Sequence, residues 1–207
     1  MEQLEREHRE LAAEATQLLA SLGRHDDCWR HNHEGLATEG TWSECTLIEL
    51  GVVNQTICDR VPRTCTALQA LQDSRRPELS SINLCRFSVL QGETHLWPHC
   101  GPTNARLRLH LPLYIPEGDF RLVVGETEHR WRTGKAVLFD DSFRHEVFAR
   151  PADAGAQRVV LIVDVWHPVI HPSLLSSHAA AMGLWFRVVA DLGMDVLILD
   201  VYGRISP

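Results

Sequence analysis

Arg106-Leu107-Arg108-Leu109-His110-Leu111 alternates a polar and an apolar side chain at every step. That period belongs to an extended strand, in which successive Cβ atoms point to opposite faces. One face therefore carries Arg106, Arg108 and His110, and the other carries three leucines. Working outward, strand-like patterning recurs over 84–90, 106–113, 120–124, 136–139, 146–149 and 158–166, with Gly92, Gly101, Gly118, Gly125, Gly134 and Gly155 in the turns between. Short strands at this turn density imply an all-β sandwich or barrel. In the last strand Arg158 shares a face with Val160, Ile162 and Asp164. On periodicity alone, the polar face of 106–110 reads as the solvated side of a sheet, where Arg106 would pair with a surface carboxylate such as Glu126 or Glu128. A buried alternative would require anions for the arginines.

Before the strands, Leu4, Leu11, Ala15, Leu18 and Leu22 recur at helical spacing and Gly23 supplies a stop, which predicts an N-terminal helix over 1–23. Residues 24–80 read as irregular, with a strand-like piece at 45–50. The β-rich core covers 81–168, inside a domain of 24–172. The tail, 173–207, is expected to be helical or poorly ordered. Its apolar run, 179–201, is interrupted by Arg187, Asp191 and Asp195, so no membrane span is expected. The start shows neither a basic n-region nor an apolar h-region. This leaves a cytoplasmic location open, and equally a segment of a longer, anchored protein.

A chain of 207 residues suits one domain, and a net charge of −7 argues against a nucleic-acid partner, which needs a basic face. The six cysteines show no zinc-ligand pattern. Cys58 and Cys65 flank a short loop that a disulfide could close, although two free thiols are the plainer reading of the spacing. Asn54-Gln55-Thr56 is a glycosylation sequon, common by chance and undecided by itself.

Two of the twelve histidines stand out: His99 in Trp97-Pro98-His99-Cys100-Gly101, and His145 in Asp140-Asp141-Ser142-Phe143-Arg144-His145-Glu146. Distant histidines at strand edges suit the facial triad of non-haem iron oxygenases. The carboxylate ligand normally two residues after the first histidine is here Gly101, so on general rules a structural histidine is the default for either residue.

The segments 92–104, 138–147 and 162–168, in that order, resemble the catalytic core of aspartyl/asparaginyl β-hydroxylases, and weaker similarity reaches back through Trp42 and the Cys58/Cys65 pair. The resemblance implies a double-stranded β-helix (jelly-roll, cupin-like) core with flanking helices. It implies Fe(II), with 2-oxoglutarate and O₂ as co-substrates. His99 and His145 match the iron ligands, and Gly101 matches a glycine in place of the carboxylate. Ser88 and Arg158 match residues holding the distal carboxylate of 2-oxoglutarate, and Arg108 and His110 those at its metal-proximal end. Arg106 matches an arginine for the target carboxylate. Trp42 and Glu44 fall at positions resembling the peptide groove, with Glu44 replacing an amide. The family's substrates are EGF-like domains bearing Asp or Asn in the endoplasmic reticulum and secretory pathway, and a disulfide matches Cys58–Cys65.

The chain departs from that pattern in three places. The helical repeat domain that precedes the catalytic region in the best-known member is absent, no basic residue stands near Ala37, and the likeness stops at about Pro172. Three other readings follow from these residues. One is a halogenase of the same fold acting on a small molecule, with chloride beside Gly101. Another is a non-catalytic jelly-roll that binds peptides. The third is a truncated product that does not fold.

Overall fold

The computed structural model describes residues 2–22, 28–32, 35–37, 39–73, 82–104, 106–166 and 196–197. The N-terminal helix is two helices, α1 (Glu2–Arg6) and α2 (His8–Leu19), separated at Glu7 with φ −90° and ψ 3°. Leu4, Leu11, Ala15 and Leu18 are buried, as their spacing implies. The stretch read as irregular is better organised than expected. It holds β1 (Arg30–His31), β2 (Thr41–Glu49), β3 (Val52–Val53), α3 (Gln55–Cys58) and α4 (Pro62–Gln72). Helix α4 begins with Pro62, whose fixed φ suits the first turn. Its free N–H groups are met from α2: the Glu14 carboxylate accepts from the backbone of Arg63 and Thr64, at 2.8 Å each, and from the Thr64 hydroxyl at 2.6 Å. A cap delivered from fifty residues away leaves no local signature, which is why the helix is hard to read in the sequence.

The remaining strands are β4 (Ile82–Gln91), β5 (Thr94–His99), β6 (Arg106–Tyr114), β7 (Gly118–Val124), β8 (Thr127–Arg130), β9 (Val137–Phe139), β10 (His145–Pro151), β11 (Gln157–Trp166) and β12 (Val196–Leu197). The described strands make two sheets, one ordered β1-β2-β4-β11-β6-β9-β12 with β3 beside β2, the other β5-β10-β7-β8. Apart from β12, which runs parallel to β9, these pairings are antiparallel. The expectation for 173–207 lies outside the described residues except for β12.

Two apolar cores flank the large sheet. On one side Cys45, Leu47, Cys85, Phe87, Leu107, Leu109, Leu111, Leu161 and Val163 pack with Leu4, Leu11, Leu18 and Leu68 of the helices. Between the sheets, Trp42, Leu90 and Phe139 of the large one pack with Leu96, Leu122, Val124 and Val147 of the small one. The fold is thus a jelly-roll sandwich with helices on its outer face. The alternation in β6 is as expected, but the solvated reading of its polar face is overturned: Arg106, Arg108 and His110 are buried on the inter-sheet side. Period two decides which side chains share a face, and the second sheet decides that this face is interior.

Two disulfides brace the edge. Cys58–Cys65 closes the short loop across α3 and α4, with a Cα–Cα distance of 5.6 Å. Cys28–Cys45, unforeseen in the sequence, ties the segment before β1 to the centre of β2 with a Cα–Cα distance of 5.1 Å.

Candidate active site

Strands β5 and β10 bring the two histidines together. His99 ends β5, His145 opens β10, and the two are register partners with ring centroids 4.2 Å apart. Nδ1 of His99 lies 2.6 Å from the Trp97 carbonyl, and Nδ1 of His145 lies 2.9 Å from the Phe143 carbonyl. A carbonyl only accepts, so each Nδ1 carries a hydrogen, which leaves Nε2 as the nitrogen placed to face a metal. Burial, reinforced by the charges of His99 and Arg108 against the pull of the Phe143 carbonyl, pushes His145 down to about 4. It is therefore neutral near pH 7, as a metal ligand must be.

No set of three His, Cys, Asp or Glu side chains positioned for a metal occurs among the described residues. Gly101 shows why a third ligand is missing. A Cβ there would overlap the carboxylate of Asp141, whose backbone carbonyl also accepts from the Gly101 N–H. The glycine makes room for a side chain from elsewhere.

That side chain belongs to a buried quartet. Arg108 donates Nε to Asp164 Oδ1 at 2.7 Å and Nη2 to Asp164 Oδ2 at 2.8 Å. Arg106 donates Nη2 to Asp141 Oδ2 at 2.7 Å and approaches Asp164 Oδ2 at 3.1 Å through Nη1. Arg108 Nη2 also lies 3.2 Å from Asp141 Oδ2. Both aspartates are fully buried. Burial alone would lower the Arg108 pKa, but the Asp164 hydrogen bonds and the two carboxylate charges raise it overall. Glu126 and Glu128 are thus not the partners of Arg106; Glu128 pairs with Arg121 and Arg130 on the outer face of the small sheet.

A second buried polar group between the sheets, centred on Arg158, carries excess positive charge. Arg158 is 2% exposed, its Nη1 donates to Ser88 Oγ at 3.3 Å, and its guanidinium lies 4.4 Å above the Trp131 ring. Trp42 Nε1 donates to the same Ser88 hydroxyl at 3.1 Å. No carboxylate lies within ion-pair distance of Arg158 among the described residues, and burial pushes it down to about 9. Burial and the charges of Arg158 and Arg108 drive His110 well below its ordinary value. Arg158 Nε, His110 Nδ1 and Trp131 Nε1 are all buried without a hydrogen-bond partner. Such atoms are costly unless something polar meets them. A bound carboxylate fits this wall, because it accepts several N–H groups at once and neutralises Arg158.

Of the two residues aligned with a peptide groove, Trp42 is buried against Ser88, at the arginine end, and Glu44 accepts from Arg86 Nη1 at 2.9 Å and from Asn32 Nδ2 at 3.1 Å. Neither forms an open platform. Sequence reasoning missed Asp141, Asp164 and Trp131. The demand of two buried arginines for two anions was the available signal for the aspartates; Trp131 had none.

The chain is similar to known proteins in sequence and in fold. The family model described as Aspartyl/Asparaginyl beta-hydroxylase matches residues 5–168. The chain belongs to this family. The Homo sapiens protein named "Aspartyl/asparaginyl beta-hydroxylase" is 40% identical over 139 residues, 67% of this chain and 18% of that protein. The human "Aspartate beta-hydroxylase domain-containing protein 2" is 38% identical over 140 residues, 68% of this chain and 36% of that protein. The chain thus spans well under half the length of these relatives. A solved Burkholderia pseudomallei oxidoreductase of the 2OG-Fe(II) oxygenase family superposes with TM-score 0.52 at 15% identity, covering 74% of this chain and 78% of that one, which supports the fold.

Proposed function

We propose that this β-hydroxylase family member is an Fe(II)- and 2-oxoglutarate-dependent dioxygenase that hydroxylates the β-carbon of Asp or Asn residues in peptides or protein domains, EGF-like domains among them. The observation that carries the reading is the pairing of two ligand-ready imidazoles with a buried Arg158 that has no ion-pair partner among the described residues, linked between the sheets through Phe139, His110 and Trp131. His99 and His145 hold the iron through Nε2. Ser88, Arg158 and the unpartnered Trp131 N–H receive the distal carboxylate of 2-oxoglutarate. His110 and Arg108 line the path toward the metal. With Fe(II), 2-oxoglutarate and O₂ bound, the site gains the oxidising power to convert a C–H bond to C–OH. The chain's share is orientation: fixed tautomers at the metal, a clamped carboxylate at the far end, and apolar walls from Phe139 and Val147 that exclude water.

Arg106 is the candidate for the target carboxylate or amide, and Trp42 and Glu44 are the further candidates for substrate contact, Trp42 beside Ser88 and Glu44 beside Arg86. The halogenase alternative is disfavoured by Asp141, because the space at Gly101 is taken by a carboxylate that would repel a halide. Two disulfides favour an oxidising, secretory compartment. The catalytic unit is proposed to span 24–172. The test is succinate formation, measured by mass spectrometry with Fe(II), 2-oxoglutarate and an Asp-bearing EGF-like peptide. Peptide-dependent succinate with a matching gain of one oxygen on the peptide is expected, and its loss in His99→Ala. A folded, metal-loaded protein that yields neither would overturn the reading.

A further inference from the structure

We propose that Asn54 is an attachment site for an N-linked glycan, and that this glycan covers the apolar hairpin tip formed by residues 50–53. In the sequon Asn54-Gln55-Thr56, Asn54 links β3 to α3 as the N-cap and Gln55 and Thr56 open the helix, and residues 49–56 are all exposed. The backbone is anchored, with Asn54 N donating to the Leu47 carbonyl at 2.8 Å. The side chain is held by one atom only, Oδ1, which accepts from Ile57 N at 3.3 Å and caps α3. Nδ2 is left to solvent, and it is the atom that takes the sugar. Glycosylated Asn keeps its Oδ1 and one N–H, so the cap survives the modification.

The neighbourhood supplies a second, independent reason. Leu50 is 81% exposed, Val52 71% and Val53 43%, among the largest apolar exposures on the molecule. Leu50 also adopts φ +49°, a turn conformation usually left to Gly or Asn. Among the described strands, β3 pairs only with β2. Its other edge therefore offers unpaired N–H and C=O groups beside two valines. An open, apolar edge of this kind invites pairing with another chain and is normally blocked or charged. Here residues 50–53 carry no charge, and the residue that follows Val53 is the sequon asparagine. A saccharide on Nδ2 supplies both bulk against edge pairing and a C–H face for the apolar side chains.

The two disulfides fit the oxidising compartment proposed above, where lipid-linked oligosaccharide donors act. In the transfer, Nδ2 forms a bond to the anomeric carbon of a lipid-pyrophosphate-linked oligosaccharide. The anomeric C–O bond breaks, the lipid pyrophosphate departs, and the nitrogen loses one proton to base. No oxidation state changes. The inference is independent of the catalytic reading.

The experiment expresses the full chain behind a secretory leader in eukaryotic cells. Peptide-N-glycosidase in ¹⁸O-water should remove one glycan and convert Asn54 to labelled Asp. Thr56→Ala, which keeps the Asn54 cap, and Asn54→Gln should both lack the glycan, while Thr56→Ser retains it. An unmodified Asn54 in secreted, disulfide-bonded protein overturns the site. For the covering role, hydroxyl-radical footprinting compares protein trimmed to a single sugar with Thr56→Ala. At least twofold lower oxidation of Leu50, Val52 and Val53 is expected in the glycoprotein. Equal oxidation would overturn the covering.

Discussion

His145→Asn tests whether the metal end is built to hold a neutral imidazole. Asparagine keeps an N–H for the Phe143 carbonyl but cannot titrate. In the folded chain burial holds His145 near 4, against an ordinary value of 6.5. A base whose folded pKa is depressed binds fewer protons than the unfolded chain between those values. Its contribution to stability is thus full above about pH 6.5 and is lost as the pH falls toward 4. A gap of about 2.5 units, at about 1.36 kcal/mol each and with half-protonation at pH 4 allowed for, makes that loss about 3 kcal/mol. Urea unfolding of the chelator-treated protein at pH 7 and pH 4 measures it. Wild type should lose about 3 kcal/mol more over this interval than His145→Asn, a midpoint difference of about 1.5 M if the urea slope is about 2 kcal/mol per M. His110 is present in both proteins, so its own depressed pKa cancels. Parallel loss of stability in the two proteins would refute the reasoning, because it would mean His145 protonates as freely in the fold as outside it.

Arg158→Met should raise the apparent KM for 2-oxoglutarate at least ~30-fold, since truncating a buried charged partner costs about 2–5 kcal/mol; steady-state succinate assays decide, and a change below twofold rejects the clamp. Trp131→Phe keeps an aromatic face beneath Arg158 but removes the Nε1 donor, so the same KM should rise about tenfold, the loss of one hydrogen bond to a charged group, with kcat nearly unchanged. Gly101→Ala should lower both thermal stability and Fe(II) affinity, because the new methyl must displace the Asp141 carboxylate; calorimetric melting and metal titration showing wild-type values would contradict that. Arg106→Ala should abolish peptide stimulation of succinate production while sparing much of the peptide-independent turnover, and equal stimulation in both proteins removes Arg106 from substrate recognition.

The sheet was legible because β6 alternates cleanly and β11 is a short, nearly continuous apolar run rich in β-branched residues. The two histidines were legible only by resemblance, since Gly101 breaks the usual ligand spacing. What stayed hidden shares one cause: it is fixed by contacts between segments distant in sequence. The α4 cap comes from Glu14 and the Cys28–Cys45 bridge crosses an irregular stretch. The β6 face is interior because a second sheet lies over it. Asp164 was visible on the same strand face as Arg158, yet only the antiparallel register Asp164↔Arg108 reveals which arginine it serves. Strand β5 was missed although it carries His99, because Pro98 and two histidines blur its alternation.

The charges between the sheets fall into two unequal groups, and the inequality bears on what the site admits. Arg106 and Arg108 face Asp141 and Asp164, two cations against two anions, all buried. Arg158 faces a hydroxyl and an indole ring, with no carboxylate in ion-pair reach. One anionic group can therefore meet Arg158 without breaking an ion pair, and it relieves a buried charge on arrival. An anion that binds Arg106 meets a different situation, because its Nη2 is already held by Asp141 at 2.7 Å. Stripping a partner from a buried pair is expensive, about 3–5 kcal/mol, unless the newcomer replaces it in kind. A carboxylate replaces it in charge and in acceptor oxygens, an amide supplies a neutral carbonyl acceptor, and a hydrophobic side chain supplies neither. Under the proposed function, the selectivity for Asp or Asn targets thus follows from the quartet itself, and the displaced Asp141 carboxylate, which lies over Gly101 beside the two histidines, links target binding to the metal end of the site.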